Sequence, residues 1–103
     1  MPKREWSASS PERMTYHEAQ AYCLALREGG HAWRLPEVWE LVTLVNYRAS
    51  SPACDLQDAR NAGYWSNTRC HEDATFAWGV GFGDGYVGSS TLDTRSYVRA
   101  VRP

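Results

Sequence analysis

Phe76-Ala77-Trp78-Gly79-Val80-Gly81-Phe82-Gly83-Asp84-Gly85-Tyr86-Val87-Gly88 is the stretch that decides the fold. Phe76, Trp78, Val80 and Phe82 alternate with Ala77, Gly79 and Gly81. A period of two predicts a strand with one bulky face and one bare face. Gly83-Asp84-Gly85 then reads as a hairpin turn, and Tyr86-Val87-Gly88 starts the return strand. The run Gly83 to Gly88 also fits G-x-G-x-x-G literally. That pattern signals a phosphate site only where it follows a strand and opens a helix. Here Ser89 to Asp93 has no helical pattern, so the glycines serve the hairpin and close strand approach.

Working outward, Tyr64-Trp65-Ser66 reads as a short strand before the hairpin, and Ser96 to Val101 as a final strand after it. The first half of the chain has the helical period instead. Thr15 and Glu18 form a capping box, and Ala19, Tyr22, Cys23 and Leu26 line one face. This predicts a helix from Thr15 to Arg27, stopped by Gly29-Gly30. A second helix is predicted from Glu37 to Val45, with Pro36 at its entrance and Val38, Leu41, Val42 and Val45 as its apolar stripe. Arg48 to Asn61, which includes Ser50-Ser51-Pro52, reads as a loop. Helices first and an antiparallel sheet second is an α+β order. There is no internal repeat or linker, so residues 1–103 are read as one domain.

Six ordered segments carry a resemblance. They are Met14-Thr15-Tyr16-His17-Glu18-Ala19 with Tyr22-Cys23; Trp33-Arg34-Leu35-Pro36 with Glu40-Leu41; and Tyr64-Trp65-Ser66-Asn67-Thr68. Then come Ala77-Trp78-Gly79-Val80-Gly81-Phe82, Asp84-Gly85-Tyr86-Val87, and Tyr97-Val98-Arg99-Ala100-Val101-Arg102. Together they resemble the Lcl C-terminal domain family. The resemblance implies a C-type-lectin-like fold related to that of the formylglycine-generating enzymes. In that fold two helices pack on a twisted antiparallel β-sheet, and the N- and C-terminal strands are adjacent. It also implies a loop-rich ligand face; receptors of this fold are diversified by retroelements in their C-terminal third. Trp33, Trp65 and Trp78 are expected in the core, and Arg34, Arg99 and Arg102 in structural bonds. Family members often carry a Cys where Ala100 stands, able to pair with the helix Cys. Glu37 stands where a Thr or Ser usually caps the second helix, a weaker cap by ~1 kcal/mol.

Composition narrows the function. Hydrophobic residues make up 43% and charged residues 22%, which suits a folded chain. The net charge of −1 leaves no footprint for nucleic acid. No eighteen-residue apolar run exists, so no membrane partner is expected. The start Met-Pro-Lys-Arg-Glu-Trp carries no secretion signal, and the three Cys (Cys23, Cys54, Cys70) read as reduced thiols. Both point to a cytoplasmic location, in a host cell or phage-associated, with secretion the weaker reading. The acids Glu72, Asp73, Asp84 and Asp93 are scattered in turns without a calcium triplet. Cys70-His71 lacks zinc spacing. No cofactor, metal or catalytic residue is expected.

What remains is a non-catalytic, calcium-independent binding module. The expected partner is a protein, met through the loop-rich C-terminal half. The candidate binding residues are Arg69, His71, Glu72, Asp73, Asp84, Tyr86, Ser90, Asp93, Arg95 and Tyr97. Aromatic and Arg side chains make the anchors. The segments 69–73 and 89–96 are expected to sit near each other. One alternative is a sulfated polysaccharide or other carbohydrate on Arg69 and Arg95. Another is a small phage or mobile-element inhibitor that binds and blocks a host or defence protein.

Overall fold

A computed structural model of the chain describes residues 5–30, 32–49, 52–56, 58–60 and 62–102. Ser50, Ser51, Gln57 and Asn61 of the predicted loop, and residues 1–4 of the start, lie outside these. The element order is β1 (Glu5–Trp6), α1 (Tyr16–Ala25), α2 (Val38–Val42), β2 (Gly63–Arg69), β3 (Phe76–Gly81), β4 (Tyr86–Thr91) and β5 (Val101–Arg102). This is an α+β chain with two helices and two antiparallel sheets, ordered β1-β5 and β2-β3-β4.

The first helix is shorter than its periodicity predicts. The Thr15 hydroxyl accepts from Glu18 N–H, and Glu18 Oε1 accepts from Thr15 N–H, completing the predicted box. The helix ends at Ala25, and Leu26 is already extended (φ −68°, ψ 133°). The Arg27 guanidinium folds back and donates to Leu24 O at 2.7 Å and Leu26 O at 2.9 Å. Those bonds satisfy carbonyls that another turn would have used, so the chain leaves the helix before Gly29-Gly30.

The second helix is also shorter than predicted, and its cap comes from another element. Glu37 stands at the N-cap, but it is the Thr68 hydroxyl from β2 that accepts from Val38 N–H at 2.9 Å. Thr68 in turn donates to Glu37 Oε2 at 2.6 Å. Glu40, 1% exposed, accepts from Glu37 N–H and takes a two-pronged bond from Arg34 at 2.7 and 2.8 Å. A buried carboxylate is tolerable here because a guanidinium fork and a backbone amide serve its oxygens.

Thr68 reaches the helix because β2 bulges. Trp65 pairs with Gly79, but Arg69 pairs with Ala77, so four steps along β2 match two along β3. Ser66-Asn67-Thr68 stand opposite Trp78 alone; the Ser66 hydroxyl still donates to Trp78 O, while Asn67 and Thr68 turn their hydrogen bonds outward. Asn67 N–H donates to Pro36 O at 2.7 Å, and Asn67 O accepts from the Tyr16 hydroxyl at 3.0 Å. The short predicted strand Tyr64–Ser66 is therefore a seven-residue strand that ties both helices to the sheet.

Two clusters form the core. Tyr16, Ala19, Cys23, Trp33, Leu35, Trp65, Ala77, Val98 and Ala100 form the first; Leu41, Cys54, Tyr64, Val80 and Phe82 the second. Cross-strand partners share a face. Trp65, Gly79 and Gly88 therefore share one face with Ala77, and Tyr64, Val80 and Val87 share the other with Trp78. Helix α1 packs on the first face and α2 on the second, and neither Phe76 nor Trp78 belongs to the cluster that α2 joins. This corrects the expectation for Trp78. Ala77 of the bare face is fully buried, whereas Phe76 and Trp78 of the bulky face are only half-buried. A five-residue α2 is too short to reach them.

The chain ends are stitched through segment 96–102. Trp65 N–H donates to Tyr97 O, and Tyr97 N–H to Gly63 O, both at 3.0 Å, adding this segment beside β2. On its other side, Val98 and Ala100 donate to the Ser10 and Ser7 hydroxyls, and their carbonyls accept from the same two residues' N–H groups. Val101 pairs with both Trp6 and Arg34. The predicted final strand is thus real in backbone shape but divides its bonds among four partners, and only Val101–Arg102 forms a regular ladder. Arg34, Arg99 and Arg102 all make intramolecular bonds, as expected.

Candidate functional site

The uncovered end of the bulky face forms a pocket of about 520 Å3, lined by Cys70, His71, Glu72, Asp73, Phe76, Trp78 and Ser89. The β2–β3 loop makes its rim and is held by its own backbone. Cys70 N–H donates to Phe76 O at 3.0 Å, and Phe76 N–H to Asp73 O at 3.1 Å. Asp73 Oδ1 accepts from the Thr75 hydroxyl at 2.6 Å and Thr75 N–H at 2.9 Å. The Thr75 hydroxyl and amide hold the Asp73 carboxyl below the usual carboxylate range, so it is charged at neutral pH. From the sheet, Phe76 and Trp78 supply the aromatic wall, with Ser89 of β4 directly opposite Trp78.

Three of the predicted site residues, His71, Glu72 and Asp73, come together here, all exposed. Two others, Tyr86 and Ser90, meet on the opposite face. There Gly63, Gly79, Gly81 and Gly88 floor a trough of about 170 Å3, walled by Tyr86, Ser90 and Ser96. Gly79 has no alternative, since a Cβ there would lie 2.6 Å from Tyr64 O. Asp84 sits in the hairpin turn and accepts from Tyr86 N–H at 3.0 Å. Gly85 (φ +85°) closes that turn, and a side chain there would strike Val45 and Tyr47.

The remaining predicted residues lie apart from both. Asp93 borders a third hollow of about 410 Å3 with Ala74, Thr75, Thr91 and Leu92. Segments 69–73 and 89–96 come together at the first pocket, where Ser89 lines it with Cys70–Asp73; beyond it, Leu92 N–H donates to Thr75 O at 3.1 Å. The Arg69 guanidinium lies 5.0 Å from the Tyr16 ring centre and reaches Ala74 O. Arg95 stands 3.6 Å from Glu18. Tyr97 is half-buried against Tyr64, with Arg60 and Arg13 over its ring at 4.9 and 5.4 Å.

Sequence reasoning missed Cys70, Phe76, Trp78 and Ser89. No local signal separates them from core residues, because the second helix is predicted from Glu37 to Val45 and forms only over Val38–Val42. Cys23 and Cys54 are buried and Cys70 half-buried, all as free thiols. Burial pushes the Cys23 thiol up to about 12, which leaves it protonated. Among the described residues there is no grouping of three or more His, Cys, Asp or Glu able to hold a metal ion. No helix of the described residues is long and apolar enough to cross a membrane. No curated protein matches the chain. The sequence does match the Lcl C-terminal domain over residues 3–102, nearly its whole length, and the chain belongs to that family.

Proposed function

We propose that this chain is a non-catalytic binding module with a C-type-lectin-like body, and that it takes a protein ligand through its C-terminal half. One observation carries the reading: Phe76 and Trp78, both half-buried, form the wall of a pocket with a polar rim. Aromatic side chains in such a place lose water on contact with a partner and give most of the affinity of small interfaces. The wall is on a sheet braced by the second core cluster, so little ordering is needed on binding. The loop that frames it can vary without disturbing that core. Glu72 and Asp73 on the rim disfavour a sulfated polysaccharide at this pocket.

A photoreactive amino acid placed at Glu72, at Ser89 and, as a control, at exposed Leu24 on α1 tests this. Protein adducts from the first two positions, lost on Trp78→Ala, are the expected result. Adducts only from the control position would overturn it. So would salt-sensitive retention on a sulfated polysaccharide that Trp78→Ala leaves unchanged.

A further inference from the structure

We infer that the Phe76–Trp78 pocket seats an arginine side chain presented by a protein partner, its guanidinium stacked on the Trp78 indole and bonded to the Glu72 and Asp73 carboxylates. The inference rests on the binding-module reading above and adds the chemistry of what is bound.

Charge is the first argument. The lining holds two carboxylates and no Lys or Arg. Asp73 uses Oδ1 for both of its Thr75 bonds, which leaves Oδ2 outside them. The second argument comes from three of the chain's other aromatic rings, which carry guanidinium groups from the chain itself. Arg69 lies over Tyr16, Arg60 and Arg13 over Tyr97, and Arg102 over Trp33 at 6.0 Å. Among the described residues no guanidinium lies over Phe76 or Trp78. Among the described residues, then, the aromatic wall beside the two carboxylates is open to a cation from a partner.

Shape favours arginine over lysine. A guanidinium is planar, stacks on an indole, and offers five donors in a rigid fork. The pocket offers an indole wall with acceptors around it: the carboxylates of Glu72 and Asp73 and the Ser89 hydroxyl. A lysine ammonium is a compact, strongly hydrated point charge and would leave part of that set unused.

The test is an NMR titration of the whole chain with the capped peptide acetyl-Gly-Arg-Gly-amide, against matched peptides with citrulline or lysine in the middle. The arginine peptide is expected to shift the Trp78 indole N–H and the amides of 70–76 and 89, and to do so less as salt is raised. Trp78→Leu or Glu72→Gln is expected to weaken it about two- to five-fold each, with the rest of the spectrum intact. Equal shifts from the citrulline peptide would overturn the charge argument, and equal shifts from lysine the choice of arginine. Shifts confined to the Tyr86 trough, or none, would overturn the site. Photo-crosslinking that still captures a protein in a Trp78-dependent way while the peptide fails would reject arginine and keep the binding module. Peptide binding without any protein adduct would do the reverse.

Discussion

Trp65 and Trp78 share one sheet and one side-chain chemistry, but their surroundings differ. Trp65 is 1% exposed, meets Tyr16 edge-on at 5.8 Å, and donates its indole N–H to Met14 O at 2.7 Å. Removing it leaves a cavity in the first core cluster and takes from Met14 O one of its two donors, the other being Ser96 N–H. Trp65→Ala is expected to cost about 3–5 kcal/mol. Trp78→Ala, at the edge of a pocket, is expected to cost less, about 1–2 kcal/mol, because its side chain is only partly buried and already meets water there. Urea unfolding of the two variants checks this, and equal losses would mean that Trp78 is core. A sequence gives no way to rank the two, since both are tryptophans on predicted strands. The difference comes from which part of each face a helix happens to reach.

At the scale of elements, α2 depends on a side chain thirty residues ahead of it. Val38 N–H has its acceptor in Thr68, placed there by the Ser66–Thr68 bulge of β2. Thr68→Val keeps the shape and removes the hydroxyl. The expected loss is about 1 kcal/mol, the usual worth of an N-cap. It should come with faster amide exchange across Val38–Val42 and little change in α1. Uniform loss of protection over both helices would show that the bulge, rather than the cap, was damaged. The local capping box of α1 was legible in Thr15 and Glu18 because both bonds form within four residues. The cap of α2 was not, since Glu37 is a poor cap by itself and its substitute comes from the sheet. The same reason shortened α1: the back-folding of Arg27 leaves no trace in a hydrophobic period.

At the scale of the whole molecule, the two chain ends and the loop before β2 are joined at Arg99. This nearly buried guanidinium bonds Ser7 O, the Ser9 hydroxyl and Asp58. Burial alone would raise the Asp58 carboxyl, but Arg99 and the Ser9 amide outweigh it and hold it below its usual range. A depressed carboxyl contributes stability that is present above its unfolded value, near ~3.9, and is lost as pH falls through the lower folded value. The Asp58 side chain is 46% exposed, so solvent screens the pair, and Asp58→Asn is expected to cost only about 1 kcal/mol at pH 7. The gap to the wild type should close as pH falls toward 3, read from urea midpoints at each pH. A gap that stays constant would mean the bond is not ionic. The sequence by itself determined the α+β order, the hairpin at Asp84-Gly85, the α1 cap and the buried helix face, because each follows from neighbours within a few residues. It also carried the family, through six motifs in order. Only the tertiary structure decided that the two helices cover opposite faces of the sheet, and that Tyr86 and Ser90 lie away from His71, Glu72 and Asp73. It alone exposed Phe76 and Trp78 as a pocket wall. Those outcomes depend on the sheet register, the β2 bulge and the reach of each helix, and no local pattern encodes the distance over which a short helix can shield a strand from water.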